Sequence, residues 1–181
     1  MIEPQAIPEA QPQVAAITDD GAGDVDRQLW AFARQQRQGG RSVLGLVMAR
    51  RDRGASRQDA LVLIDIDNGS ECLVSQPLGT DSNACRADPQ GFARASQVLR
   101  DALGRQPDLV ICNRFGALEA ERGGFVAELL ALMEHGIPVL TVVRPRYLDA
   151  WRRFVGEATL LPADPQAWVA WLDGTLRQRG R

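Results

Sequence analysis

Val14-Ala15-Ala16-Ile17-Thr18, followed by Asp19-Asp20-Gly21-Ala22-Gly23-Asp24, is the stretch on which the fold turns. The short apolar run predicts a strand, and the Asp/Gly cluster predicts the turn that ends it. Residues 24–38 take helical spacing, with Val25, Leu29, Phe32 and Ala33 on one face and Asp24 placed to cap the helix. Gly39-Gly40 closes that helix, and Val43–Met48 is a continuous apolar run, as in a strand covered on both faces. Ala60–Ile66 and Glu71–Ser75 are two further β runs joined by Asp67-Asn68-Gly69-Ser70, a strong hairpin signal. Asp88-Pro89 predicts a helix start, and that helix runs to about Leu103. Asp108–Cys112 reads as a buried strand, residues 117–135 as helix broken or begun near Gly123-Gly124, and Pro138–Val143 as the next strand. A short helix over Leu148–Val155, a strand over Ala158–Leu161 and a last helix capped by Asp164-Pro165 complete the chain. Strands alternating with helices predict a three-layer α/β domain: a mostly parallel sheet, helices on both faces and an inserted β-hairpin. Residues 1–12, polar and Pro-rich, read as a disordered tail, and 13–178 as a single domain.

Composition removes several function classes. The chain has 181 residues, a hydrophobic fraction of 45%, a charged fraction of 24% and a net charge of −2, so nothing drives it wholesale towards nucleic acid or a membrane surface. All 21 basic residues are Arg. There is therefore no Schiff-base lysine and no phosphate-clamping lysine. The three cysteines (Cys72, Cys85, Cys112) have no metal-ligand spacing, and the N-terminus lacks the basic and apolar regions of a signal peptide. No apolar run approaches the ~18 residues that span a bilayer. A cytoplasmic location is the expectation.

In an open α/β sheet, ligands bind beyond the carboxyl ends of the strands, where strand order reverses. Three loops qualify: 19–23, 76–87 and 113–117. The first sits where a P-loop belongs. A Walker A loop reads GxxxxGK[ST], its lysine neutralising phosphate charge and its hydroxyl binding magnesium. Here both are missing, and Asp19, Asp20 and Asp24 would repel a triphosphate; a plain strand-to-helix turn is the competing account. The second loop offers neutral hydrogen-bonding groups in Ser75, Gln76, Thr80, Ser82 and Asn83. Gly79 frees the backbone there to turn, and Cys85 and Arg86 stand just before a helix N-terminus. Helix N-termini and arginine both favour anions, so the loop reads either as an oxyanion or phosphate cradle or as a long surface loop. The third, Asn113-Arg114-Phe115-Gly116 with Glu119, takes the Walker B position. Asn113 cannot act as a base, Arg114 can clamp an anion, and Glu119 suits either a helix N-terminus or catalysis. His135, the lone histidine, stands at a helix C-terminus, a capping position. The Arg50–Arg57 run lacks interleaved aromatics, which disfavours nucleic acid. Trp151, Phe154, Trp168 and Trp171 read as packing of the C-terminal helices onto the sheet.

Leu44-Gly45-Leu46-Val47, the Asp67-Asn68-Gly69 hairpin, Ser75–Gly79, Cys85–Asp88, Asn113–Gly116 with Glu119, and Pro138–Thr141 carry a resemblance. From Val14 to about Trp171 the chain resembles an uncharacterised bacterial family commonly encoded beside molybdate-transport genes. That family usually has lysine at the place of Arg114, so the charge is kept. More distantly, the layout is similar to the small P-loop nucleoside triphosphatases of thermophiles, with both Walker motifs degenerate. The resemblance implies a P-loop-like scaffold and a link to molybdenum handling; it does not carry hydrolysis, because the catalytic positions depart from the pattern.

The residues together predict a non-hydrolytic protein binding a small anion, molybdate or a phosphate-bearing ligand. Ser75, Gln76, Gly79, Ser82, Asn83, Cys85 and Arg86 would face Asn113, Arg114, Gly116 and Glu119, with no metal or other cofactor. Two other classes stay open. One is a divergent nucleoside-triphosphate phosphohydrolase using Glu119 and magnesium. The other is a protein-interaction scaffold, with a homodimer among its forms.

Overall fold

β1 (Val14–Thr18) forms where the sequence predicts it, and its side chains alternate between two cores: Val14 and Ala16 into one, Ala15 and Ile17 into the other. The computed structural model describes residues 13–51, 60–77, 85–156 and 158–180, with the backbone alone at 76–77 and 85–87. The expected tail at 1–12, most of the Arg50–Gln58 loop and residues 78–84 lie outside that set.

The elements follow the periodicity closely. After β1 come α1 (Val25–Gln38), β2 (Val43–Arg51), β3 (Ala60–Asp65), β4 (Glu71–Pro77), β5 (Cys85–Ala87) and α2 (Pro89–Arg105). Then follow β6 (Leu109–Cys112), α3 (Ala117–Ala120), α4 (Val126–Glu134), β7 (Val139–Val143), α5 (Leu148–Val155), β8 (Thr159–Leu161) and α6 (Pro165–Gln178). Asp24, Asp88 and Asp164 each cap the helix that follows by accepting backbone N–H groups, at 2.9–3.1 Å. One expectation needs correcting: 76–88 is not all loop. Gln76 and Pro77 continue β4, and Cys85–Ala87 form an antiparallel edge strand against them, with Gln76 opposite Arg86.

The sheet has eight strands in the order β5-β4-β3-β2-β6-β7-β1-β8. The five from β2 to β8 are mutually parallel, and β3, β4 and β5 extend the β2 side antiparallel, so the expected hairpin is part of a larger meander. α1 and α6 cover one face, and α2, α4 and α5 the other, giving the three layers of a P-loop-like α/β domain. Trp168 and Trp151 are wholly buried in opposite layers, Trp168 edge-on to Phe32 at 5.7 Å and Trp151 edge-on to Phe115 at 5.1 Å. Gly45 lets β2 approach β6: it has φ of +109°, and a Cβ there would meet the Ile111 carbonyl oxygen at 2.0 Å.

Strand order fixes where a site belongs. The crossover leaving β1 runs over α1 towards β2, on one face. The crossover leaving β7 runs over α5 across β1 to β8, on the other face. β1 and β7 are neighbours whose connections depart in opposite directions, so the crevice opens between their carboxyl ends.

Candidate functional site

The strand ends around that crevice are tied by backbone bonds. Asp19 N–H donates to the Val143 carbonyl at 3.0 Å, and Phe115 N–H to the Val142 carbonyl at 3.1 Å. Thr141, fully buried in β7, donates to the Cys112 carbonyl at 2.6 Å and accepts from Phe115 N–H at 3.1 Å. These bonds hold the Asn113-Arg114 segment, whose connecting peptide is cis, against the end of β7.

Arg114 is answered from inside the chain. Its Nη1 donates to Asp19 Oδ2 at 3.1 Å, and its Nη2 donates to both oxygens of Asp26 at 2.9 and 3.0 Å. Asn113 Nδ2 adds a bond to Asp26 Oδ1 at 2.7 Å. The Asp19 side chain is 6% exposed and that of Arg114 15%, so this is a largely desolvated ion-pair cluster. The acids of the 19–24 turn are likewise engaged: Asp19 Oδ1 accepts from Gly21 N–H and Asp20 Oδ1 from Ala22 N–H, both at 2.9 Å, and Asp24 is the α1 cap. The repelling carboxylate and the clamping arginine expected from the sequence therefore satisfy each other. Two polar atoms in this cluster are buried without a hydrogen-bond partner: Asn113 Oδ1 and Arg114 Nε.

Glu119 is also committed. It is buried, its Oε2 accepts from Gly116 N–H at 2.9 Å and its Oε1 from Phe125 N–H at 3.2 Å. One carboxylate thus closes the start of α3 and the entry to α4. Gly124 makes room for it, since a Cβ there would meet Glu119 Oε1 at 2.0 Å. Glu119 is thus part of the frame that holds the 116–125 segment.

Arg144, in the segment leaving β7, contrasts with Arg114. Its Nε lies 4.0 Å from Asp19 Oδ2, outside hydrogen-bonding distance, and is buried without an acceptor. Its side chain as a whole is 42% exposed. Arg146 follows, its guanidinium 4.9 Å above the Tyr147 ring. Both face an open cleft of about 1170 Å³, bordered by the turn after β1, the first residues of α1, the end of β2 and the 113–119 segment. The expected residues Ser75, Asn113, Arg114, Gly116 and Glu119 all line this cleft. Gly79, Ser82 and Asn83 lie outside the described residues, and Gln76, Cys85 and Arg86 are described by backbone only. β5, which carries Arg86, is separated from β6 by three strands. Four strand spacings put the backbones of β5 and β6 roughly 19 Å apart along the sheet.

The two basic residues of the β7 segment were not among the sequence candidates. Their signal, Arg144-Pro145-Arg146 after an apolar run, looks like any strand-end turn until β7 is known to neighbour β1. Of the thiols, Cys112 at the end of β6 is fully buried, and burial pushes its pKa well above the ordinary thiol value, helped by the charges of Glu119 and Glu128. Burial also raises Cys72. His135 sits at the end of α4, its Nδ1 2.8 Å from the Ala131 carbonyl oxygen, the capping position expected. Among the described residues no group of three or more His, Cys, Asp and Glu converges to hold a metal, and no helix is long and apolar enough to cross a membrane.

Comparison with known proteins places the chain in a family. Over 160 residues the chain is 34% identical to a protein of Bradyrhizobium diazoefficiens named molybdenum import ATP-binding protein ModC 2. The match takes in 88% of this chain and 18% of that protein, so the chain spans less than a fifth of its relative. Residues 14–171 match the model of the family described as protein of unknown function (DUF2478), and the chain belongs to that family.

Proposed function

We propose that the chain binds a small anionic ligand in the cleft between the ends of β1 and β7, and holds it without hydrolysing it. Arg144 carries the reading. It is a cation at the reversal of strand order, 42% exposed and with its Nε buried without an acceptor, while both terminal nitrogens of the neighbouring Arg114 are bonded to Asp19 and Asp26. Desolvating a guanidinium N–H without a partner is unfavourable, and an anion in the cleft would supply the missing acceptor. Arg146 stands alongside to share the charge. The ligand class is an oxyanion such as molybdate, or a phosphate-bearing molecule. The name of the Bradyrhizobium relative, with its molybdenum import and ATP binding, favours those two chemistries. A cleft of about 1170 Å³ leaves room for the larger of them.

The non-hydrolytic part rests on Glu119 and Asn113. Glu119 gives both oxygens to backbone N–H groups, and Asn113 offers an amide where a water-activating carboxylate would be needed. Calorimetric titration with molybdate, tungstate, phosphate and ADP tests the proposal. Heat of binding is expected for at least one of them, lost in Arg144→Ala, with no phosphate released from ATP above blank. Folded protein giving no heat with any of the four would overturn it.

A further inference from the structure

We infer that Arg114 is a cation built into the site, filling the place between Asp19 and Asp26 where a divalent metal would otherwise be held, so that the cleft takes its anion without magnesium. The anion is that of the proposed function; the part concerning metal stands on the ion-pair geometry alone.

Asp19 ends β1 and Asp26 lies in the first turn of α1, and Arg114, brought in from the end of β6, sits between them. Every carboxylate oxygen of the pair has an N–H donor. Asp19 Oδ1 accepts from Gly21 N–H and Oδ2 from Arg114 Nη1. Asp26 Oδ1 accepts from Asn113 Nδ2 and Arg114 Nη2, and Oδ2 from Arg114 Nη2. A magnesium or manganese ion needs such oxygens bare, at about 2.0–2.2 Å. To reach them it would have to displace a guanidinium that is 15% exposed and held by three bonds, and until it did so like charge would oppose its approach. Charge bookkeeping agrees. Asp19 and Asp26 contribute two negative charges and Arg114 one positive, and Arg144 at 4.0 Å from Asp19 brings the cluster to neutrality. These four residues are thus neutral together without a metal. The same geometry implies a converse: with the guanidinium removed, two carboxylates would face each other with only Arg144, 4.0 Å from Asp19, as counter-charge, a pair that calls for a divalent cation.

The test uses the full chain as wild type, as Arg114→Met and Arg114→Gln, and as Arg114→Met combined with Asp26→Asn. Each is titrated with Mn2+ alone, free Mn2+ being read by its paramagnetic resonance signal. Wild type is expected to leave Mn2+ free up to about 1 mM, a concentration that fills even weak protein sites. Arg114→Met or Arg114→Gln is expected to bind one Mn2+, with an affinity that falls about tenfold or more when Asp26→Asn is added. In parallel, phosphate and ADP are titrated into wild type in Mg2+ and in EDTA, with affinities expected to agree within about twofold. Wild type that binds Mn2+ and loses it on Asp19→Asn, folded Arg114 variants that take up none, or an affinity for ADP lost in EDTA would each overturn the inference. If neither Arg114 variant folds, the wild-type Mn2+ titration decides it. Failure of wild type to bind any anion in either buffer sinks the anion-binding reading, and the Mn2+ titrations still decide the role of Arg114.

Discussion

Arg114 and Arg144 leave adjacent parallel strands at the same edge of the sheet and point at the same carboxylate, Asp19, at 3.1 and 4.0 Å. Each has a buried Nε lacking an acceptor, but Arg114 is bonded to two acids through its Nη atoms and is 15% exposed, whereas Arg144 is 42% exposed. Residue type and position along a strand do not distinguish them. The number of acceptors around each does. A cation bonded to its own chain's carboxylates is part of the frame, and an exposed one beyond bonding distance of them is available to a ligand.

The comparison breaks most sharply at Arg114. Arg114→Ala strands Asp19 and Asp26 as a largely desolvated like-charge pair, and a loss of about 3 kcal/mol in unfolding free energy is expected from urea denaturation. Glu119→Gln is the next largest. It keeps one acceptor but turns an amide N–H2 towards a backbone N–H of Gly116 or Phe125, costing about 1–3 kcal/mol of stability in the same measurement. Arg144→Ala should reverse the pattern. Its stability stays within about 0.5 kcal/mol of wild type, while calorimetry shows affinity for the anion down about tenfold or more. A destabilisation by Arg144→Ala matching that of Arg114→Ala would erase the distinction. The smallest effect is expected at Cys112, one residue before Asn113. Because burial raises its pKa, the thiolate stays scarce in the folded protein, and alkylation of Cys112 should not rise between about pH 8 and 9, where a free thiol titrates. Mass spectrometry of iodoacetamide-treated native protein, compared with protein unfolded in urea, checks this.

The caps show what was legible. Asp24, Asp88 and Asp164 announce helix starts because a capping carboxylate bonds an N–H only two or three residues on. The edge strand Cys85–Ala87 was not legible for the opposite reason. Three residues carry no periodicity, and the strand exists by pairing with Ser75–Pro77. Glu119 shows the middle case. Its place at a helix start could be read from spacing, but its second bond, to Phe125 N–H, follows only from how the chain turns through Gly123-Gly124. At the site, the sequence drew attention to Asn113, Arg114, Gly116 and Glu119, all of which line the cleft, and assigned Arg114 the work of an anion clamp. The Asp26 carboxylate that occupies it is 88 residues away, and no local pattern pairs the two.

The sequence by itself determined the order of strands and helices apart from β5, the caps, the two-faced burial of the parallel strands and the absence of any lysine. All of these are set by composition or by interactions within a few residues. Only the tertiary structure decided that β7 lies beside β1, that Arg144 therefore stands at the reversal of strand order, and that Arg114 is neutralised from two other elements. Strand neighbours and buried ion pairs are chosen by packing and hydrogen bonding between segments far apart in the chain. Which arginine is bonded to its own chain's acids is settled only when those segments meet.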